Sequence, residues 1–385
     1  MKIVHLCLAC FFPDGFSYQE NLLPKYHKAL GYEVEVIASL VSFNKDGQSV
    51  TLKPCKPYLN EYNIKVTRLN YKYNNNFCKK LKIYRNTYDR IKDAKPDVLF
   101  IHGLQFWDIR EVVRYLKEHR NVSVFIDNHA DFSNSAKNWF SLNIMHRFIW
   151  RYCAHTVNDY VKKFFGVLPA RVDFLKNIYN LPETKCKLLV MGADDELVVS
   201  SREKEVRKCI RKKHNISDDD FLIITGGKID QWKTETLLLM KAVKNINAKV
   251  KLIVFGSIIP ELKKEVNSLV DGNKIQYIGW IKAEESYSYF AASDLVVFPG
   301  RHSVMWEQVT GQGIPMLVKD WAGTHHVDLG GNVKFLKEVS VDEIKRNIEF
   351  LLKYPEEYRK MKQVAINKGM KKFSYMEIAK RSIED

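Results

Sequence analysis

The chain has 385 residues, which is longer than one ordinary hydrophobic core requires and predicts two domains. Its 46% hydrophobic and 28% charged residues are typical of a soluble globular protein. The sequence has no run of about 18 apolar residues, which argues against a membrane-spanning helix. The net charge of +16 calls for a negatively charged partner, such as an anionic membrane leaflet, nucleic acid or nucleotide phosphates.

The first twelve residues resemble a short signal peptide, but they lack a small-residue cleavage site and run directly into Pro13. We interpret them as a buried first strand, which predicts a cytoplasmic protein. Seven cysteines scattered over both halves fit reduced thiols. Cys7 and Cys10 form a C-x-x-C, but no second pair completes a zinc site, so both are predicted core residues.

Strand-like and helix-like segments alternate along the chain, which is the pattern of βαβ units and a parallel sheet. A strand at 2–10 is followed by a helix at 18–30, which Gly31 ends. Further strands are predicted in the first half at 32–38, 65–69, 98–102, 122–127, 172–175 and 187–190. In the second half they are predicted at 221–225, 251–255, 275–278, 295–298 and 315–318.

This repeated architecture predicts an α/β fold with two Rossmann-like doubly wound domains facing a central cleft. The stretch from Gly192 to Ser201 is acidic and is followed by basic residues, and it is the predicted hinge. The first domain is predicted to cover residues 1–195 and the second residues 196–365. Ligands are expected at the carboxyl ends of the parallel strands.

One segment, which begins at Tyr71 and ends at Lys95, departs from this alternation. It carries eight Lys or Arg residues against two Asp, interleaved with five aromatic residues. A single helix at 77–91 would place cations beside aromatic rings, a composition typical of an interfacial helix on anionic lipid. The alternative is a solvated basic face whose tyrosines pack inward. Nucleic-acid binding is disfavoured, because no helix-turn-helix, zinc-finger or RNA-binding pattern accompanies the charge.

Residues 298–318 join a strand of the second half to a short helix. Pro299-Gly300 is a turn signal, the helix is predicted at 303–310, and its one acid is Glu307. Amides at a helix start attract anions, and an acid in this position can accept hydrogen bonds from a ribose diol. The alternative is an ordinary crossover with a surface glutamate.

A glycine-lysine loop follows the strand at 221–225. Gly226 and Gly227 let the backbone approach a ligand closely. Lys228 and Lys233, five residues apart, can both reach one diphosphate with charge-assisted hydrogen bonds. Lysines for phosphate and an acid for ribose at neighbouring strand ends favour a nucleotide site.

In the first half, His129 follows the strand at 122–127 and could bind a substrate hydroxyl or phosphate. The alternative is a loop histidine without a role, and the same two readings apply to His102 at the end of another strand. Gly15, in the first strand–helix loop, would let an acceptor or phosphate approach the backbone.

Together these motifs resemble those of GT-B glycosyltransferases of the large retaining family 4, over nearly the whole chain. The matching motifs are Gly15-Phe16, Asp97-Val98 to His102-Gly103, Met191-Gly192-Ala193-Asp194, Gly227-Lys228 to Lys233, Tyr277-Ile278-Gly279-Trp280, Glu307 to Gly313-Ile314-Pro315, and Phe373-Ser374-Tyr375. Residues 366–385 are similar to the last helix of the family, which crosses back onto the first domain.

The resemblance implies an enzyme of polysaccharide biosynthesis, cytoplasmic or peripheral on the inner face of the membrane. Its donor would be a nucleotide-sugar, such as a UDP- or GDP-sugar, bound by the second domain. Its acceptor, a glycan or lipid-linked glycan, would bind the first. The sugar would be transferred with retention, without a cofactor or metal ion.

The resemblance also implies roles for single residues. Lys228 and Lys233 would bind the diphosphate, Glu307 the ribose, and His129 would approach the donor sugar. The loop with Trp280 and Ile281 would hold the base. Ser257, after Gly256, would lie near the phosphates.

Two departures from the family pattern matter. Lys228 stands where the family has arginine, so the charge is kept but the fork geometry is lost. Pro299 stands where the family has the first glutamate of E-x7-E, and the nearest polar candidates to read the donor sugar are Arg301, His302 and Ser303. The lost glutamate favours an alternative function, a non-catalytic nucleotide-sugar-binding partner of an active glycosyltransferase.

Overall fold

The computed structural model describes residues 1–43, 48–231 and 233–384. The chain forms two compact units, Met1–Val190 with Tyr375–Asp385, and Met191–Ser374. The chain thus divides after residues 190 and 374, where the sequence predicted division after residues 195 and 365. Within the described residues, no helix combines the length and apolar character needed to cross a bilayer.

The first unit is built on an eight-stranded sheet. Its strands, in chain order, are β1 Lys2–Cys7, β2 Glu33–Ser39, β5 Tyr58–Leu59, β6 Lys65–Leu69, β7 Val98–His102, β8 Ser123–Asn128, β9 Val161–Gly166 and β10 Cys186–Leu188, while β3 Val41–Phe43 and β4 Ser49–Thr51 pair separately. The spatial order is β10-β9-β8-β7-β1-β2-β6-β5. All neighbours in this sheet are parallel except β5 and β6.

Helices flank this sheet, as parallel strands require. They are α1 Gln19–Ala29, α2 Asn76–Leu81, α3 Thr87–Ala94, α4 Ile109–Glu118, α5 Arg151–Val157, α6 Pro169–Asn177, a π-helical segment Ser141–Trp150, a 3-10 turn Asn158–Tyr160, and the C-terminal helix Tyr375–Ser382. Side chains of β1 alternate between two apolar clusters, with Val4 and Leu6 in one and Cys7 in the other. Both faces of the sheet are therefore buried.

The second unit contains a six-stranded sheet in which all strands are parallel. The strands are β11 Phe221–Gly226, β12 Val250–Phe255, β13 Ile275–Tyr277, β14 Leu295–Phe298, β15 Met316–Lys319 and β16 Val333–Leu336. The helices are α7 Asp195–Ser201, α8 Lys204–Lys213, α9 Glu235–Lys244, α10 Pro260–Leu269, α11 Ala283–Ala292, α12 Met305–Gly311, α13 Val341–Lys353, α14 Pro355–Val364 and α15 Met370–Lys372, with a 3-10 turn at His325–Val327 and a π-helical segment at Ala365–Gly369.

The strand order of the second unit is β13-β12-β11-β14-β15-β16. Counted within the unit, this is the doubly wound order 3-2-1-4-5-6, in which the direction of winding reverses between the first and fourth strands. The first unit reverses in the same way between β1 and β7. The predicted α/β fold with two Rossmann-like domains is confirmed.

Several elements were wrongly predicted or missed, among them the short strands β3, β4 and β5. The predicted strand at 172–175 lies in α6, which begins with Pro169 in its first turn, a favourable position for proline. The strands β9 and β16 were not predicted. The predicted helix at 77–91 is two helices, α2 and α3, because Lys82 and Asn86 adopt left-handed backbone conformations between them (φ 56° and 62°).

Candidate functional site

In the second unit, the winding reverses between β11 and β14, and their carboxyl ends meet at the same edge of the sheet. Ligands of doubly wound sheets bind at such a point. The loop after β11 contains Gly227, Lys228 and Lys233, and the loop after β14 leads to Glu307. The topology therefore brings together the two motifs that the sequence placed apart by about 80 residues.

Backbone hydrogen bonds tie the loops after β11, β12 and β13 to one another. Gly227 N donates to Phe255 O at 3.1 Å, and Ile229 N donates to Ser257 O at 2.8 Å. Gly256 N donates to Gly279 O at 2.7 Å. The predicted phosphate and base loops thus form one continuous edge.

Gly256 is where this edge is most closely packed. A Cβ atom at this position would lie 1.9 Å from the carbonyl oxygen of Gly227, and the backbone has φ +124°. Both features exclude a side chain. The glycine is required for the two loops to approach each other.

Lys233 lies between the loops after β11 and β14. A Cβ atom on Gly227 would be 3.6 Å from Lys233 Nζ, and one on Gly300 would be 3.5 Å from Lys233 Cγ. Burial lowers the pKa of Lys233 from its ordinary value. Lys228 is mostly exposed, with Nζ 3.9 Å from Asp230 Oδ2. Both lysines lie at the loop edge. Lys233 packs between Gly227 and Gly300, whereas the side chain of Lys228 extends into solvent.

Glu307 is fully buried in the first turn of α12, with two imidazoles on one of its oxygens. Its Oε1 accepts hydrogen bonds from His302 Nε2 at 2.8 Å and His326 Nε2 at 2.9 Å. The His302 ring also packs edge-on against Trp306 at 5.0 Å between centroids. The burial of Glu307 therefore excludes the alternative interpretation of this stretch as an ordinary crossover with a surface glutamate.

The environment of Glu307 favours its charged form. Burial opposes ionisation, but the charge and hydrogen bond of His302, together with those of His326, outweigh it and hold the pKa of Glu307 well below its usual range. Among the described residues, Glu307 Oε2 has no hydrogen-bond partner, and neither does His326 Nδ1. A buried carboxylate oxygen therefore remains available for one more donor.

His302, Glu307 and His326 are also the described residues that could hold a metal ion, since one ligand atom from each lies within 4.8 Å of the others. Two histidines and a glutamate are a known zinc donor set. However, a tetrahedral zinc ion sets its ligand atoms about 3.3 Å apart. The observed separations of 2.8 and 2.9 Å fit hydrogen bonds donated by the imidazoles.

The other predicted residues of the β14 loop have different surroundings. Arg301 is exposed, and its guanidinium lies 5.7 Å from the centre of the Trp321 ring. Ser303 is partly buried, and its carbonyl accepts from Trp306 N at 3.0 Å. Of the three polar residues predicted to read the donor sugar, His302 also bonds to Glu307 through Nε2.

The predicted phosphate and base residues lie on the loops after β12 and β13. Ser257 is exposed beside Gly256. Trp280 is 68% exposed, and Ile281 is partly buried. Ile281 lines a cavity of about 380 Å³ with residues of α8 and α11. An exposed indole offers a surface on which an aromatic base can stack.

In the first unit, Gly15 and His129 follow β1 and β8. Gly15 is exposed, and its amide donates to Glu61 Oε1 at 3.0 Å, so this amide already has a partner. His129 is 29% exposed, and its Nε2 lies 3.4 Å from Asp127 Oδ2 and 3.9 Å from Glu20 Oε1. Burial opposes a charge on His129, but these two carboxylates outweigh it and raise its pKa.

Sequence reasoning missed His326, Asp127 and Glu20 as parts of these surroundings. His326 lies in a 3-10 turn of the β15–β16 connection, which has no apolar periodicity. Asp127 had a signal, because it ends a predicted strand two residues before His129. Its position in β8 between two histidines could have been recognised.

Comparisons with known proteins bear on the fold that carries these residues. Residues 206–368 match the family of glycosyl transferases group 1. The chain is similar in structure to a glycosyltransferase from Rickettsia africae ESF-5, with a TM-score of 0.68, 14% identity, and coverage of 99% of this chain and 96% of that one. No curated protein sequence matches the chain.

Two ligand-bound structures are also similar. Anabaena HepE in complex with UDP has a TM-score of 0.68 and 15% identity, covering 99% of this chain and 98% of that one. UDP-GlcNAc 2-epimerase from Neisseria meningitidis bound to UDP-GlcNAc has a TM-score of 0.64 and 15% identity, with the same coverage. The protein therefore has the GT-B fold. The match to glycosyl transferases group 1 spans residues 206–368, which lie within the second unit.

Proposed function

We propose that this protein is a retaining, metal-independent glycosyltransferase that moves a hexose-type sugar from a nucleotide-sugar to a glycan or lipid-linked glycan. The observation that carries the proposal is Glu307. Its Oε1 is held by two imidazoles, and its Oε2 is buried without a donor among the described residues. A ribose hydroxyl would supply the missing donor, and the Anabaena relative's UDP favours a UDP-sugar.

Lys228 and Lys233 are proposed to bind the diphosphate. In the reaction, the bond between the anomeric carbon and the diphosphate oxygen breaks, and the acceptor oxygen bonds to the same face of that carbon. The acceptor proton passes to a phosphate oxygen or to solvent. Negative charge builds on the leaving nucleoside diphosphate, and two ammonium groups at the strand edge would stabilise it.

We propose that Arg301, His302 and Ser303 read the sugar in place of the missing glutamate, with His302 Nε2 bonded to Glu307 Oε1. Trp280 and Ile281 would contact the base, and Ser257 the phosphates. His129 of the first unit would approach the donor sugar, and Gly15 would contact the acceptor.

A panel of UDP-, GDP- and other nucleotide-sugars, supplied with glycan acceptors, tests this function through nucleotide release and product analysis. We expect nucleotide release with one of the donors. The new glycosidic linkage should have the same anomeric configuration, α or β, as that donor. Glu307→Ala should abolish release, whereas Glu284→Ala, which changes an exposed acid on α11, should leave it intact. Binding and release with none of the donors would contradict the proposal.

The rival function, a non-catalytic partner of an active glycosyltransferase, is favoured by Pro299 at the place of the first family glutamate. It differs from the main proposal in one measurement. The rival predicts nucleotide binding without release by the protein alone, and release only with a co-expressed transferase. An epimerase, which the Neisseria relative brings into consideration, would return an altered nucleotide-sugar without transfer to an acceptor.

We also propose that the protein works at the inner face of an anionic membrane. Residues 139–157 form one continuous helical stretch with two faces. Four exposed apolar side chains recur every fourth residue along it, namely Phe140, Ile144, Phe148 and Tyr152. His146, Trp150, Cys153 and Val157 on the other side are buried. Exposed aromatic residues on a helix suit a lipid interface.

The basic segment predicted from the sequence adjoins this face. Lys80 Nζ lies 4.9 Å from the centre of the Phe140 ring, and Phe77 is 66% exposed. A cavity of about 720 Å³ between them is lined by Phe77, Tyr152 and four cations, Lys72, Arg110, Arg114 and Lys117. Apolar side chains beside cations favour an anionic leaflet.

Part of the basic segment is not available to lipid. Lys82 donates to the carbonyl of Ala9, and burial lowers its pKa to about 8. Tyr84 is buried and stacks on Tyr71 at 5.0 Å between centroids. The inward-packing alternative therefore holds for these residues, while Phe77, Lys79, Lys80 and Arg85 remain exposed.

A further inference from the structure

Three buried histidines form a continuous line of hydrogen bonds in the first unit. His5 comes from β1, His27 from α1 and His102 from β7, and all three are fully buried. His5 Nδ1 lies 3.0 Å from His102 Nε2, and His5 Nε2 lies 2.9 Å from His27 Nδ1. We call these residues the histidine chain.

Each end of the histidine chain meets an acceptor. His102 Nδ1 lies 2.8 Å from Asp127 Oδ2. His27 Nε2 lies 3.0 Å from Ala379 O and 3.0 Å from Ser382 Oγ on the C-terminal helix. The Ser382 hydroxyl lies 2.8 Å from Ala379 O, and when it donates there it is an acceptor toward His27.

While the Ser382 hydroxyl donates to Ala379 O, the proton count requires one charged ring. The chain contains four hydrogen bonds, and neither Ala379 O nor the Asp127 carboxylate can donate to it. Three neutral imidazoles carry one N–H each, which leaves one of the four bonds without a proton. One imidazole therefore carries two protons and a positive charge.

The charge belongs on His102, next to Asp127. Burial disfavours an imidazolium, but the Asp127 carboxylate outweighs it and raises the pKa of His102 to about 9. Burial lowers the pKa of His27 to about 4. Asp127 is itself suited to be the anion, because it also accepts from Gly103 N at 3.1 Å and Gln19 Nε2 at 3.1 Å.

We propose that the histidine chain is a positioning device for His129: it keeps His102 as an imidazolium, and His102 fixes the Asp127 carboxylate against His129. Asp127 Oδ2 contacts both rings, at 2.8 Å from His102 Nδ1 and 3.4 Å from His129 Nε2. The role of His129 at the donor sugar rests on the proposed function. Among the described residues, the other titratable groups that face Asp127 and the two rings are Cys7 of β1, Cys10 in the loop after it, Glu20 of α1 and Arg171 of α6.

The proton arrangement can be measured without any substrate. Full-length protein labelled with ¹⁵N-histidine should show, near neutral pH, one buried imidazolium that disappears in His102→Asn. His5 and His27 should appear neutral with the proton on Nε2. A neutral His102 in the unaltered protein would overturn the proposal.

Two substitutions of His27 separate positioning from mere packing. In His27→Leu, His5 Nε2 has lost its acceptor, so the His5 proton can move to Nδ1 and be donated to His102 Nε2. Because His102 Nε2 then accepts a hydrogen bond, it gives up its own proton and His102 becomes neutral. The uncompensated Asp127 should then raise the titration midpoint of His129 by about one pH unit. In His27→Gln the side-chain carbonyl accepts from His5 and its amide donates to Ala379 O. The titration midpoints of His102 and His129 should therefore stay unchanged.

Kinetics give a second readout. With an active donor, His27→Leu should lower kcat about tenfold through misplacement of His129, with the donor KM within about twofold, and His27→Gln should remain near the unaltered protein. An unchanged His129 midpoint and kcat in His27→Leu would overturn the positioning role. Absence of nucleotide release by the unaltered protein would contradict the proposed function alone, because the spectra still decide the state of His102.

Discussion

His326 Nε2 lies 2.9 Å from Glu307 Oε1, although nineteen residues separate the two along the chain. His302 donates to the same oxygen. The pair of imidazoles turns a solitary acid at a strand end into a fixed carboxylate with one oxygen still unpaired among the described residues. Under the proposed function, this unpaired oxygen is the one that would accept a hydrogen bond from a ribose hydroxyl.

His326→Leu should weaken nucleotide binding. Removing one donor from Oε1 frees this oxygen and favours protonation of the buried carboxyl. A hydrogen bond to a charged group contributes about 1.5–3 kcal/mol, so we expect a loss of about 10- to 100-fold in affinity for the nucleotide that binds the unaltered protein, measured by calorimetry. His326→Gln retains a donor and is the matched control. Equal nucleotide affinity of the His326→Leu and His326→Gln variants would argue against a role for the hydrogen bond from His326 to Glu307.

Lys233→Met should reduce nucleotide affinity by about 10- to 100-fold, because it removes a charge-assisted bond to phosphate. The loss should shrink for the corresponding nucleoside, which lacks the diphosphate. Lys241→Met changes an exposed lysine that pairs with Glu265 at 2.8 Å, and it should have no effect. A Lys233 variant that binds the diphosphate normally would exclude this residue from the site.

Gly256→Ala should destabilise the second unit and abolish nucleotide binding. The added Cβ would meet Gly227 O at 1.9 Å, which forces the loops apart and costs about 1–3 kcal/mol or more. Gly272→Ala is a control with a positive φ of 72° but open space around the Cβ. It should cost only about 1 kcal/mol in urea unfolding and leave binding intact. Similar losses in both variants would mean that backbone strain, not the contact, explains the effect.

His27→Gln should flatten the acid side of the stability curve. The unfolded chain takes up a proton on His27 near its ordinary pKa, whereas the folded protein does so only at about 4. Lowering the pH from about 7.5 to about 5 therefore costs roughly 2 kcal/mol of unfolding free energy through this residue. Urea unfolding at several pH values measures the slope.

His102 has the opposite sign. The pKa of His102 in the folded protein, about 9, lies above the ordinary value of a histidine. Its contribution to the unfolding free energy is therefore complete below the ordinary value and disappears as the pH rises through about 9. His27→Gln should leave this alkaline decline unchanged. If the unfolding free energy of His27→Gln and that of the unaltered protein changed equally with pH over the acid range, this would contradict a neutral His27 in the folded protein.

Phe148→Glu should weaken binding to vesicles that contain anionic phospholipid. Phe148 is 74% exposed in the centre of the aromatic row, and a carboxylate there would be both desolvated and repelled by the lipid charge. We expect at least about a tenfold loss in flotation assays. Val199→Glu alters an equally exposed apolar residue on α7 of the second unit and should bind normally. Equal binding of both variants would remove this face from the interface.

The alternation of apolar strands and helices determined the fold class and most of the strands. Parallel strands buried on both faces appear as continuous apolar runs, and glycines mark where they end. This is why the loop with Gly227 and the helix with Glu307 could be located from the sequence alone. The short apolar run at 172–175 was misread, since four residues cannot distinguish a strand from a helix segment.

Only the tertiary structure decided which side chains surround these positions. His326 joins Glu307, and His5, His27 and His102 join Asp127, through contacts between elements that are distant in the chain. Local periodicity carries no information on such contacts, because they depend on strand order and on the hydrogen bonds that buried polar atoms must find. The sequence therefore determined the loop edge of the second sheet, and the packing determined how its carboxylate and the first unit's histidines are held.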